Sequence, residues 1–141
     1  MVSTKKEINF IESYSCDLDL SFLKKNDKHL ADGIIKTHYG IEVDKSVKSC
    51  KEYAISPNDP DIAPYRIHLQ KCLDDYMKKY DHLNIHPHFN VYDVINYQRY
   101  DKGEGYFDWH FENFDCGRVI VFMTYLTNTP EAGSEFLYQN I

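Results

Sequence analysis

An α+β fold follows from three features of this 141-residue chain. Ahead of about residue 88, apolar residues recur at the three- and four-residue spacing of a helix. Beyond it they alternate with the period of two that suits a strand, and turn residues break the alternating stretch at strand-length intervals. Helices first and strands afterwards, without an internal repeat or low-complexity linker, predict one domain over 1–141. Its 1–88 region is mostly helical support, and 89–141 is a β-core packed against it.

Leu20 to Ile35 reads as a helix, with Ser21 as its N-cap and a polar, glycine-containing stop around Gly40. The run Ser56-Pro57-Asn58-Asp59-Pro60 breaks the chain, and Ile62, Tyr65, Leu69, Cys72 with Leu73, Tyr76 and Tyr80 then mark one face of an amphipathic helix. That stripe is read as a surface packed on the later sheet. Four strand-like runs follow: Phe89 to Tyr100, Tyr106 to Glu112, Arg118 to Leu126 and Ser134 to Gln139. Between them lie Asp101 to Gly105 with two glycines, the polar bend Asn113 to Gly117, and Asn128 to Gly133 with Pro130, which suits short antiparallel strands.

Composition narrows the function classes. A formal net charge of -6 argues against a nucleic-acid footprint or an anionic membrane surface. No apolar run reaches the roughly 18 residues of a membrane span, and no apolar segment follows the basic residues near the start, which predicts a cytoplasmic, soluble protein. Cys16, Cys50, Cys72 and Cys116 form no CxxC pair, so scattered reduced thiols are expected rather than a zinc ribbon or a redox motif.

Chemistry concentrates in Gly105-Tyr-Phe-Asp-Trp-His-Phe-Glu-Asn113. On a strand, residues two apart share a face, so His110 and Glu112 project together, with Tyr106 and Asp108, while Phe107, Trp109 and Phe111 point the other way. An imidazole and a carboxylate from one strand, joined by a distant histidine, make a 2-His-1-carboxylate triad that leaves iron(II) with open positions. Taken alone, the His-x-Glu pair reads more readily as a surface ion pair than as a metal site.

The surroundings carry more. Tyr100-Asp-Lys-Gly-Glu-Gly-Tyr-Phe-Asp-Trp-His110-Phe-Glu112, then Arg118-Val-Ile-Val-Phe-Met-Thr-Tyr125-Leu126, then Ala132-Gly133-Ser134-Glu135-Phe136, resembles the prolyl-4-hydroxylase-like branch of the iron(II)- and 2-oxoglutarate-dependent oxygenases. The resemblance covers about residues 90 to 141. It implies a double-stranded β-helix (jelly-roll) core, with His110 and Glu112 as the first two metal ligands and Tyr100 and Tyr125 as phenols contacting 2-oxoglutarate. The cofactors implied are Fe(II) and 2-oxoglutarate, with ascorbate as a companion reductant. The implied enzyme is a dioxygenase that hydroxylates an unactivated C–H bond of a peptidyl-proline or small-molecule substrate.

Three positions depart from the family pattern: Glu112 stands where aspartate is commoner, Thr127 where asparagine is common, and Ala132 where the turn's first glycine falls. The histidines are at 29, 38, 68, 82, 86, 88 and 110, so the distal histidine and the basic cosubstrate anchor that the resemblance implies are not in this sequence. The resemblance therefore implies a chain that stops before the C-terminal strands, with little activity of its own and open strand edges through which it self-associates. His86 and His88 are read as solvated loop residues, not as substitute ligands. The alternative is a non-catalytic β-sandwich module of the same fold that binds a partner without turnover.

Overall fold

The computed structural model describes residues 10–85, 91, 94–112, 118–128 and 133–136. The fold is α+β, built from one long helix and small antiparallel sheets. A 3-10 helix, Ser21–His29, comes first, followed by strands β1 (Ala31–Asp32), β2 (Ile35–Thr37), β3 (Gly40–Glu42), β4 (Lys48–Ser49) and β5 (Lys51–Ile55). A 3-10 turn, Pro60–Ile62, leads into α1 (Ala63–Lys79), and a further 3-10 segment, Asp81–Ile85, follows it. Strands β6 (Ile95–Arg99) and β7 (Gly105–Tyr106) complete the regular elements among the described residues.

The helix α1 forms where the spacing predicts it. Asp59 accepts a hydrogen bond from the Asp61 N–H at 2.9 Å, Pro60 begins the 3-10 turn, and Lys78 and Lys79 lie at the carbonyl end, where the helix dipole favours cations. Among the described residues, however, part of its apolar stripe faces the N-terminal segment and not the sheet. Tyr76 donates to the Phe10 carbonyl at 2.7 Å, Tyr80 donates to Glu12 at 2.7 Å, and the Phe10 and Tyr80 rings lie 5.2 Å apart. The segment beginning at Phe10 therefore covers the C-terminal half of this face, and Lys79 adds an ion pair to Glu12. Nearer its start the helix reaches the 118–128 segment, where the Tyr65 hydroxyl meets Thr124 Oγ1 at 2.7 Å.

The helix expected over Leu20 to Ile35 is shorter and tighter. Leu20 holds the N-cap position without a side-chain bond, and Asp19 accepts the Ser21 N–H at 2.9 Å. Leu30 then turns extended (ψ 129°), and Leu23 is the one buried residue of this 3-10 helix. Five strands occupy Ala31 to Ile55, where the sequence reading put helical support. The β2–β3 pair closes through His38 and Tyr39 with Thr37 opposite Gly40, whose φ of 134° suits glycine.

The principal sheet has strand order β1-β5-β6, all antiparallel, and β5 pairs β6 from Lys51 opposite Arg99 to Ile55 opposite Ile95. Tyr53, Ile55, Ile95 and Tyr97 share one face by strand alternation and pack with Leu20, Phe22, Leu23, Leu30 and Ile62. The core thus joins the first 3-10 helix, the sheet and the approach to α1. Burying these side chains is the main force holding the three together.

Among the described residues of the four predicted strand runs, only the end of the first forms a strand of any length, over Ile95–Arg99. Tyr106 to Glu112 does not continue as a strand past Tyr106, and neither Arg118 to Leu126 nor the described part of Ser134 to Gln139 enters a ladder. His86, His88, the bend Asn113 to Gly117 and Ala132 lie outside the described residues. Among the described residues no helix is long and apolar enough to cross a membrane.

Candidate functional site

The site is positioned from the short β4–β7 ladder. Lys48 pairs with Tyr106 and Ser49 with Gly105, and the Phe107 N–H reaches the Val47 carbonyl at 2.8 Å. The turn before β7 is locked by Glu104, which accepts from the Asp101 N–H at 2.8 Å and from Ser49 Oγ at 3.1 Å, while Gly103 takes a φ of 85°. Glu104 is held below the usual carboxylate range, first by that Asp101 N–H. Tyr106 is therefore anchored, and its ring lies 6.0 Å from Lys48 Nζ.

Beyond Tyr106 the chain folds back instead of extending. The imidazole of His110 stacks on the Tyr106 ring with centroids 3.8 Å apart and planes at 18°. On an extended strand, side chains four residues apart would be separated by roughly 13 Å. His110 Nδ1 lies 3.1 Å from the Asp108 carbonyl, and Nε2 lies 3.4 Å from Glu112 Oε1. The other carboxylate oxygen, Oε2, accepts from Arg118 Nη1 at 3.0 Å, and the same nitrogen reaches the Glu112 carbonyl at 3.3 Å.

His110 and Glu112 thus come together, by a compact turn of chain and not by strand alternation. Two donors at this separation can each contact one divalent ion at about 2.1 Å. They fit two positions of a metal site. Among the described residues no group of three or more His, Cys, Asp or Glu side chains is gathered.

The two tyrosines are placed differently. Tyr100 donates to Gln98 Oε1 at 3.2 Å, and its hydroxyl is pushed well above the ordinary phenol value by burial, then by the neighbouring Cys50 thiol. Tyr125, 65% exposed, donates to Ser134 Oγ at 2.6 Å. Neither tyrosine bonds directly to His110 or Glu112 among the described residues.

Two participants escape a reading by strand period. Arg118 grips Glu112 from six residues away, and Tyr106 supports His110 through a fold-back that alternation does not signal. The sequence cues to the first were an opposite charge shortly after a candidate carboxylate and the place of Arg118 at the head of the second segment of the family-like pattern. No family model, curated protein or solved structure matches the chain.

Proposed function

We propose that the chain carries part of the active site of an iron(II)- and 2-oxoglutarate-dependent dioxygenase of the prolyl-4-hydroxylase type. The observation that carries this reading is the 3.4 Å approach of His110 Nε2 to Glu112 Oε1 within the motif that resembles that family. In this reading the small antiparallel sheets belong to a double-stranded β-helix core. His110 and Glu112 hold the metal. Bound there with 2-oxoglutarate and dioxygen, iron supplies the oxidation of an unactivated C–H bond in a peptidyl-proline or small-molecule substrate.

The chain's own residues have defined tasks. The imidazole of His110 would present Nε2 to the metal, and Glu112 would supply an anionic oxygen that lowers the charge of the occupied site. Tyr100 and Tyr125 offer phenol donors to the carboxylates of 2-oxoglutarate. The test is equilibrium binding of 2-oxoglutarate under anaerobic conditions, with and without Fe(II). Iron-dependent binding that disappears in His110→Ala and Glu112→Ala is expected, while succinate formation by this chain alone should stay close to zero, because the distal histidine and the basic anchor are not in this sequence. Iron-independent binding, or binding indifferent to both substitutions, would overturn the proposal.

The exposed aromatic run next to the pair favours one competing reading. Phe107, Trp109 and Phe111 are 54%, 61% and 76% exposed, a surface suited to a non-catalytic module that binds a partner. Partner or carbohydrate binding that survives His110→Ala would select that reading instead.

A further inference from the structure

We infer that Arg118 is a positioning residue of the metal site, dividing the two oxygens of Glu112 so that one alone faces the ion. This inference rests on the reading of His110 and Glu112 as metal ligands and adds to it how the second ligand is aimed. Arg118 Nη1 takes Glu112 Oε2 at 3.0 Å and the Glu112 carbonyl at 3.3 Å, so one guanidinium nitrogen bridges both ends of the same residue. Oε1 is left turned to His110 Nε2 at 3.4 Å. With Oε2 engaged, the carboxylate presents a single donor oxygen beside the imidazole and is held from swinging away.

The need for such a clamp follows from the identity of the ligand. Glutamate has one more methylene than aspartate, hence one more rotatable bond whose freedom must be lost when the side chain ligates. Glu112 is also about half exposed, so packing does not supply that restraint. Arg118 does so with a charge-assisted hydrogen bond, the strongest type available at a surface. Outer-sphere partners of this kind orient metal-binding carboxylates, and their loss commonly weakens metal binding about tenfold to a hundredfold.

Against this stands electrostatics, because a guanidinium beside a divalent cation repels it. The direction of the effect on removing Arg118 therefore decides between a clamp and a competitor. Exposure screens the repulsion and also weakens the ion pair that supplies the restraint, so the sign of the measured change decides.

The experiment titrates the chain with Mn(II), a redox-stable stand-in for iron(II), followed by the loss of the free-ion paramagnetic resonance signal. Arg118→Gln, which removes the charge, is compared with Arg118→Lys, which keeps it but lacks the planar fork. The expected result is affinity at least about tenfold weaker in Arg118→Gln and partly restored in Arg118→Lys. The urea midpoint of both metal-free variants should stay at the unsubstituted value, since the side chain is exposed. Equal or tighter Mn(II) binding by Arg118→Gln, with binding still lost in His110→Ala, would overturn the positioning role and leave the metal site standing. Absence of Mn(II) binding in the unsubstituted chain, or its persistence in His110→Ala, would overturn the site and the clamp together.

Discussion

Lys48 Nζ lies 2.6 Å from Glu52 Oε2, with 8% and 11% of the two side chains exposed. The pair belongs to a polar network. Lys48 also donates to the Ile34 carbonyl at 3.1 Å, while Glu52 accepts from the Ile34 N–H at 2.9 Å and from Gln98 at 3.1 Å. These bonds fasten the link between β1 and β2 to β4, β5 and β6. Removing one partner leaves a buried charge uncompensated, which costs about 3 kcal/mol. Lys48→Met should lose stability on that scale in urea unfolding. The double variant Lys48→Met with Glu52→Gln should recover part of it, because a neutral amide still accepts the Ile34 N–H. Equal losses in the single and double variants would show that the ion pair contributes little.

Gly33 packs against the same network. Its N–H donates to the Cys50 carbonyl at 2.9 Å, and a Cβ placed there would run into Cys50 Sγ and come within 3.3 Å of Lys48 Cε. Cys50 is 2% exposed, so its thiol has little room to retreat. Gly33→Ala should cost about 2 kcal/mol through overpacking. Adding Cys50→Ala should cancel most of that penalty, so the two effects should be clearly non-additive in thermal or urea unfolding.

The glycine contact and the buried lysine were not legible in the sequence, although the helix was. Ile62 to Tyr80 carries a stripe long enough for its period to be unambiguous, and Pro57 and Pro60 mark its start. Lys51 to Ile55 held a detectable signal, since Tyr53 and Ile55 alternate with Glu52 and Ala54, but the polar residues around it hid so short a strand. The opposite failure affects Phe107 to Glu112 and Arg118 to Leu126. Alternation describes side chains alone, whereas a strand also needs a neighbouring backbone to satisfy its N–H and C=O groups. The His110–Glu112 pairing was foreseen, yet its geometry arises from the fold-back that stacks His110 on Tyr106.

Alkaline pH should destabilise the fold through Tyr100. Although 42% of the residue is exposed, its hydroxyl sits beside the buried Cys50 thiol, and its pKa is raised from the ordinary phenol value of 10.0, first by burial. The folded state therefore keeps this proton when the unfolded chain begins to lose it. Its contribution is present below about pH 10 and declines as pH rises beyond that value toward the raised folded pKa. Urea midpoints measured between about pH 7 and pH 11 should fall at the alkaline end. Tyr100→Phe should flatten that fall, and an unchanged slope would count against burial of the hydroxyl.

Glu12 should govern how firmly the segment beginning at Phe10 lies on α1. It accepts from the Tyr80 hydroxyl at 2.7 Å and pairs with Lys79, while Tyr76 holds the neighbouring Phe10 carbonyl. Glu12→Ala removes the anion that joins two of these contacts. Amide exchange is expected to quicken several-fold over Phe10 to Cys16, with a smaller change on the adjacent face of the helix. Exchange unchanged in that segment would mean that the Phe10–Tyr80 ring contact alone holds it.

The last prediction concerns the tautomer of His110, since only a bare imidazole nitrogen can ligate a metal. Nδ1 lies 3.1 Å from the Asp108 carbonyl, an oxygen that can only accept. A ligating ring carries its proton on Nδ1, toward that carbonyl, and turns the lone pair of Nε2 to the side of Glu112, the arrangement in which a backbone carbonyl orients a metal-binding histidine. Tyr106 keeps the ring at this angle, stacked at 3.8 Å and itself tied to β4 by the Lys48 pairing. At about pH 8, long-range proton–nitrogen NMR should report the Nδ1–H form for His110. Tyr106→Phe preserves the stack and should preserve that signature and the Mn(II) affinity. Tyr106→Ala frees the ring and should yield a mixture of tautomers with several-fold weaker Mn(II) binding. A predominant Nε2–H form in the unsubstituted chain would mean that the nitrogen facing Glu112 is a donor in the free protein, and metal binding would then have to displace that proton first.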